Sequence, residues 1–308
     1  MSLVFNRIAI IGVGLIGSSI AHGARESGAA GSVALYDASE DVRARARALK
    51  LGDVFDAAAD AVRDADLVVL SAPVGAMGVA AQAIAPALKP GAIVSDTGSV
   101  KRSVVDAVAT HLPPHVFFVP GHPLAGTEHS GPDAGFASLF HGRWQIITPL
   151  DDPRPDYAAA VDKLEAFWRA LGANVERLDV DRHDVVLAVT SHLPHLIAFN
   201  IVAMAEDLES VTEGEVVKYS ASGFRDFTRI AASDPTMWRD VFLNNKDAVL
   251  EVLGRFSEDL AVLQRAIRWS DGKTLYDLFD RARRMRREVI DAGQDTAAPN
   301  WGRDDKTP

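Results

Sequence analysis

Gly12-Val-Gly14-Leu15-Ile16-Gly17 follows the apolar run ending at Ile11, and Asp37 stands 20 residues beyond Gly17. Glycines at this spacing permit a tight strand-to-helix turn, let the backbone close on a pyrophosphate, and let helix and strand pack closely. The helix that follows, from Leu15 and Ile16 onward, offers unpaired N–H groups and a partial positive charge to phosphates. A carboxylate at Asp37 suits the hydroxyls of an adenosine ribose and repels a 2′-phosphate. That favours NAD over NADP, although Arg43 stands close enough to reach the same region. A glycine triplet alone is weak evidence, because such turns also occur in structural loops. Here the flanks strengthen it: a helical stretch to about Ser27, Gly28 as a stop, and a second strand ending at Tyr36-Asp37. Ser71 and Pro73, in Ser71-Ala-Pro73-Val, follow the third strand, at the strand ends where this fold binds ligands. A plain strand-terminating turn reads the same way.

Three further segments crowd polar residues together. Ser95-Asp96-Thr-Gly-Ser99-Val-Lys101 ends one strand, and Pro120-Gly121-His122-Pro123-Leu-Ala-Gly126-Thr127-Glu128 follows another as a loop. His183-Asp184 and Ser191-His192-Leu-Pro194-His195 share one helical run. On an ideal helix Asp184, Ser191 and His195 fall within about 40° of one another. Pro194 removes a backbone donor and should kink that helix. Blander readings stand beside each of these. Ser99 is also a turn or cap residue, and His183 and Asp184 suit a helix cap that orients its neighbours. His192 points to another face as a packed or surface residue. Arg225 and Arg229 flank Asp226 at ion-pair spacing. His183, Asp184 and His195 are metal-ligating types, but no metal site is expected.

The elements that must position these residues alternate through the first half of the chain. Strands are expected at Ile8–Ile11, Val33–Tyr36, Leu67–Leu70, Ala92–Asp96, Phe117–Pro120, Gln145–Thr148 and Asn174–Leu178. Ala-rich amphipathic segments such as Asp41–Leu49 and Val74–Ala87 lie between them. Continuous apolar strands alternating with helices predict an α/β, doubly wound, Rossmann-type and mostly parallel sheet over residues 1–178. From about residue 180 the period is helical, predicting an all-α domain over 179–291. Its first helix, about Asp181 to Leu208, would run about 40 Å, and a later one starts with Asp234 as N-cap and Pro235 at the first position. Residues 292–308 are polar and read as a disordered tail.

The net charge of −10 over 308 residues argues against nucleic acid or an anionic membrane as partner. The chain has no Cys, which removes disulfides and thiolate catalysis and fits a cytoplasmic setting. No signal peptide is evident at Met1, and no uninterrupted apolar stretch approaches the ~18 residues of a membrane span. The basic run Arg281–Arg287 reads as a solvated helix face.

Together with Gly223-Phe-Arg225-Asp226-Phe-Thr-Arg229 and Asp234-Pro-Thr-Met-Trp238, these segments resemble the prephenate/arogenate (cyclohexadienyl) dehydrogenase family. The likeness covers most of the chain. Its most specific parts are the Gly-His-Pro-Leu-Ala-Gly-Thr-Glu and Ser-His-Leu-Pro-His segments. Leu124 stands where the family more often has Met, and Arg225 where some members have Lys. The resemblance implies oxidative decarboxylation of a cyclohexadienol acid. The carbinol hydrogen leaves as hydride to the nicotinamide of NAD, the hydroxyl proton is accepted, and loss of CO₂ aromatises the ring. The product is 4-hydroxyphenylpyruvate from prephenate or tyrosine from arogenate. By motif position His122 is implied as the proton acceptor, a step that suits neutral imidazole. Ser99 is implied as a bridge between substrate hydroxyl, His122 and nicotinamide. Arg229 would grip the ring carboxylate with its planar fork, and Ser191, His195 and Arg225 would line the substrate. Trp238 would reach a neighbouring subunit's pocket in a homodimer built through the helical domain. Arg225 disfavours the ammonium of arogenate, which points to prephenate or to dual use. Neither a chorismate mutase segment nor an added regulatory domain is expected.

Two other readings stay open. One is another two-domain NAD(P)-dependent hydroxyacid dehydrogenase, but those carry a catalytic Lys on the central helix and residues 181–208 contain none. The other is a non-catalytic NAD(H)-sensing module, which would need no proton acceptor.

Overall fold

A computed structural model describes residues 3–127, 129–212, 218 and 221–291. The N-terminal part runs β1 (Phe5–Ile11), α1 (Leu15–Glu26), β2 (Ala30–Tyr36), α2 (Glu40–Ala48), β3 (Asp53–Val54), α3 (Ala58–Val62), β4 (Leu67–Leu70), α4 (Met77–Ile84), β5 (Ile93–Asp96), α5 (Arg102–Ala109) and β6 (Phe117–Phe118). Its six strands form one parallel sheet in the order β3-β2-β1-β4-β5-β6. This is the doubly wound arrangement, with its switch point between β1 and β4. Alternate residues feed two cores. Ile8, Ile10, Leu35, Leu67 and Val69 face one side, and Ala9, Ile11, Val68, Leu70 and Val94 face the other. Both faces are covered, which is why these strands read as unbroken apolar runs.

The chain continues through β7 (Gly121–Pro123), β8 (Trp144–Ile147), α6 (Tyr157–Ala170) and β9 (Asn174–Arg177). These three strands form a separate sheet, β7-β8-β9, antiparallel and then parallel. All seven expected strands are present, but the last two do not extend the main sheet. Pro120 explains the break. It has no N–H for the ladder, so pairing of β6 stops, and Pro120 instead accepts from Thr148 N at 2.9 Å as the chain turns into β7. The expectation of a loop at His122 is corrected by this: His122 sits in β7, opposite Ile146.

Helices then take over: α7 (Val180–Leu187), α8 (Leu193–Thr212), α9 (Ser222–Thr228), α10 (Pro235–Asn244), α11 (Lys246–Arg268) and α12 (Gly272–Asp291). α7 and α8 are one continuous rod interrupted by a wide π turn over Ala188–His192. Pro194 cannot donate to the carbonyl of Thr190, and the i→i+5 turn just before it absorbs that defect. The cap of α7 is Asp179, which accepts from Asp181 N and Arg182 N, and not His183 or Asp184. Asp234 caps α10 through Met237 N at 2.8 Å, with Pro235 first in the helix. Residues 180–208 are long and apolar enough to cross a membrane by length and composition alone. Their buried Asp184, bonded to Lys101 N and Arg102 N, and His183, against His122, tie the rod to the sheet domain instead. The Arg281–Arg287 run is exposed on α12. Glu128 and the tail 292–308, expected to be disordered, lie outside the described residues.

Candidate active site

The cofactor turn closes at the C-terminal ends of β1, β2 and β4. Gly12 has φ +102°, and a Cβ there would sit 2.4 Å from the Ser71 carbonyl. At Gly17 a Cβ would come within 2.0 Å of the Gly12 carbonyl, so both positions need glycine to let α1 pack. Gly14 differs: a Cβ there would meet nothing within 4 Å. Its surroundings are open at the start of α1, which has no side-chain cap. A turn with free helix-end N–H groups under open space fits a pyrophosphate. Leu15 and Ile16 are half-buried in the first helical turn.

Asp37 follows the last residue of β2 and braces this turn, accepting from Val13 N at 2.8 Å and Ser39 N at 2.9 Å. Each carboxylate oxygen keeps a second lone pair for a ribose hydroxyl. Arg43 bonds the carbonyls of Asp37 and Ala38 at 2.9 and 3.1 Å and pairs with Asp56. It is therefore beside the ribose end, held by acceptors of its own. Ser71 Oγ accepts from Thr97 Oγ1 at 3.3 Å, and Pro73 is exposed at the start of a short 3₁₀ turn.

At the end of β5 a denser polar cluster forms. Lys101 and Asp96 are fully buried and ion-paired. Lys101 Nζ also donates to the Gly121 carbonyl at 2.6 Å, and Asp96 accepts from Gly121 N at 3.1 Å and Gly98 N at 2.8 Å. Both main-chain groups of Gly121 are thus pinned, one residue before His122. Asp184 accepts from the N–H groups of Lys101 and Arg102, at 2.7 and 2.9 Å, at the start of α5. Its Oδ1 lies 2.8 Å from His183 Nδ1, and His183 Nε2 lies 3.0 Å from His122 Nδ1. Burial alone would raise the Asp184 pKa, but hydrogen bonds from His183, Arg102 N and Lys101 N hold it below the usual carboxylate range.

The tautomers follow from these contacts. Ionised Asp184 only accepts, so His183 donates from Nδ1 and its Nε2 must accept. His122 then donates from Nδ1, which leaves its Nε2 lone pair free. Burial, followed by His183, Lys101 and His192, pushes the His122 pKa well below the usual imidazole value. Burial also lowers His183, against its bond to Asp184. The outcome is a neutral imidazole with one unshared lone pair, backed through a second imidazole by a carboxylate.

The rod and α10 pack beside this cluster. His195 donates from Nδ1 to the Ser191 carbonyl at 2.8 Å and stacks on Trp238, with ring centroids 3.7 Å apart. Burial lowers the His195 pKa against that bond, and the nearby charge of Arg229 adds to the shift. Arg229 stands on an exposed 3₁₀ turn after α9, near enough for its charge to act on His195. Trp238 packs inside its own chain with Val100 and Val241. It does not reach outward as expected. Arg225 is also not brought to this cluster: it is 73% exposed and pairs with Asp226 at 3.0 Å. The ideal-helix grouping of Asp184, Ser191 and His195 gives way to the π turn, which leaves Asp184 against α5 and His195 against Trp238.

Sequence reasoning missed the pinning roles of Asp96 and Lys101, the donor role of His183, and Asn245. The first two lay inside a segment singled out for its polarity, where a lysine so near an aspartate was the available signal. Asn245, between α10 and α11, offered none.

Residues 20–177 match the nucleotide-binding domain of prephenate dehydrogenase, and residues 179–281 match its dimerization domain. A cyclohexadienyl dehydrogenase of Zymomonas mobilis is 49% identical over 92% of this chain and 96% of its own length. A prephenate dehydrogenase of Bacillus subtilis is 32% identical over 93% of this chain and 76% of its own. The crystal structure of prephenate dehydrogenase from Aquifex aeolicus, in complex with hydroxyphenyl propionate and NAD⁺, superposes with a TM-score of 0.85 at 33% identity. That match covers 94% of this chain and all of that one. With the fold, the glycine turn and the buried histidine pair already in place, these matches establish that the chain belongs to the prephenate dehydrogenase family.

Proposed function

We propose that this protein oxidises prephenate with NAD and releases CO₂, forming 4-hydroxyphenylpyruvate for tyrosine biosynthesis, and that it also accepts arogenate. NAD supplies the hydride acceptor. The observation that carries the reading is the chain His122–His183–Asp184, which leaves one imidazole lone pair for a substrate hydroxyl.

In the reaction the C–H bond of the ring carbinol breaks with its electron pair. His122 Nε2 accepts the hydroxyl proton as the carbonyl forms. The ring carboxylate then leaves as CO₂, its bonding pair aromatises the ring, and the phenolic oxygen recovers a proton from His122. No net proton is consumed, so a base of depressed pKa serves both halves. Asp184, through His183, stabilises the transient imidazolium, as the carboxylate does in a Ser-His-Asp triad. Ser99, on the loop after β5, bridges the hydroxyl and His122. Arg229 binds the ring carboxylate, and Ser191 and His195 line the pocket. Arg225 is supported less well, since it pairs with Asp226 at the surface.

The helical part, 179–291, forms a homodimer in this reading. Leu243, Ile267, Trp269, Tyr276 and Phe279 are each at least 57% exposed there, and apolar surface of that kind calls for a partner. A cytoplasmic location also belongs to the proposal, supported by the absence of cysteine. The test is NADH production at 340 nm with prephenate and with arogenate. Turnover of prephenate is expected, and no turnover of either acid rejects the reading.

A further inference from the structure

Asn245 sits at the junction of α10 and α11, where an Asn side chain ordinarily caps a helix. It makes no cap bond. Its side chain is buried and reaches across to the rod instead. Nδ2 donates to the Asp184 carbonyl at 2.9 Å and lies 3.0 Å from His192 Nδ1. The carbonyl can only accept, which fixes the amide with its nitrogen on that side. The second amide proton must then go to His192 Nδ1, so that nitrogen carries no hydrogen and Nε2 does.

His192 is fully buried. Burial pushes its pKa down to about 4, and the charge of Asp184 and the Ser99 main chain oppose this only in part. It therefore stays neutral and keeps the tautomer that Asn245 imposes. Its Nε2–H makes no completed hydrogen bond, and the Ser99 main chain is its polar neighbour. The edge of Trp238 closes the site at 6.1 Å between ring centroids.

We infer that Asn245 is a positioning residue: one amide proton sets His192 as the Nε2–H tautomer, while the other holds the main chain of Asp184, the residue that orients the His122–His183 pair. The inference rests on the reaction proposed above only for its kinetic consequence. Losing the amide leaves the buried Asp184 carbonyl and His192 Nδ1 without their donor, at a cost borne by the residue that orients the histidine pair. The substitution that separates this from packing is Asn245→Asp, nearly isosteric but an acceptor when ionised. It would draw a proton onto His192 Nδ1 and strip Nε2.

The test combines ¹⁵N imidazole NMR of the full-length protein with steady-state kinetics. His192 is expected as Nε2–H in the wild type and as Nδ1–H in Asn245→Asp. Asn245→Ala and Asn245→Asp are expected to lower kcat on the order of tenfold, the scale of losing an outer-shell partner, with KM for NAD unchanged. A wild-type His192 carrying its proton on Nδ1, or the same tautomer in wild type and Asn245→Asp, overturns the inference. So does full kcat in a folded Asn245→Ala variant. If Asn245→Ala does not fold, the wild-type tautomer alone decides. The NMR arm needs no substrate, so failure of the reaction assignment leaves it readable.

Discussion

His122 Nδ1 and His183 Nε2 are 3.0 Å apart, and the direction of that bond is set two atoms further on, where His183 Nδ1 meets Asp184. A carboxylate with no proton to give forces a donor at each following step, so the last nitrogen, His122 Nε2, is left as an acceptor. Asp184→Asn removes this logic, because an amide can present either group. Its kcat should fall by about 10²-fold or more, toward the ~10⁴ seen when a triad carboxylate is neutralised, with KM for NAD unchanged. Unchanged kcat in a folded variant contradicts the tautomer argument.

The three glycines of the turn should fail differently. Gly12→Ala and Gly17→Ala drive a methyl into backbone at 2.4 and 2.0 Å, so both should lower the melting temperature. Gly14→Ala meets nothing in the protein within 4 Å. It should melt normally yet raise KM for NAD, because its methyl occupies the space a pyrophosphate needs. Thermal melts beside NAD saturation curves read this directly, and a destabilised Gly14→Ala would refute it.

Acid should unfold the protein earlier than its carboxylates alone would. His122, His183, His192 and His195 all have folded pKa values below the ordinary 6.5. The unfolded chain therefore binds more protons than the folded one below that value, and stability is lost as pH falls through 6.5 toward the folded values. For His192, lowered to about 4, the loss between pH 7 and pH 5 is about 2 kcal/mol. Urea midpoints at the two pH values measure it, and equal midpoints would contradict it.

The Lys101–Asp96 pair is fully buried. Lys101→Met should cost about 3–5 kcal/mol by leaving a carboxylate uncompensated. The double variant Lys101→Met/Asp96→Asn should recover part of that, because no buried charge remains. A double-mutant cycle by denaturation checks the sign, and additive losses would rule the pairing out.

Much of this molecule is legible in its sequence, for reasons that differ by element. β1, β4 and the Gly12–Gly17 turn announce themselves because a buried parallel strand must be apolar throughout and the turn admits only glycine at Gly12 and Gly17. Asp234-Pro235 marks a helix start with equal force. His122 stands out as a residue, but its place in a strand does not, since that depends on Pro120 breaking one sheet and on β8 pairing from 22 or more residues away. The π turn before Pro194 defeats an ideal-helix projection by one residue. Asn245 is invisible for a simpler reason: its partners, Asp184 and His192, are 61 and 53 residues distant, and nothing local signals them.

The most direct test of the account is the single-turnover rate of NADH formation from prephenate, compared between wild type and His122→Asn at saturating NAD. Asparagine keeps the size and a hydrogen bond but accepts no proton at neutral pH. The account predicts a rate lower by about 10²–10⁴-fold with substrate still bound. A His122→Asn enzyme that turns over at the wild-type rate would contradict it.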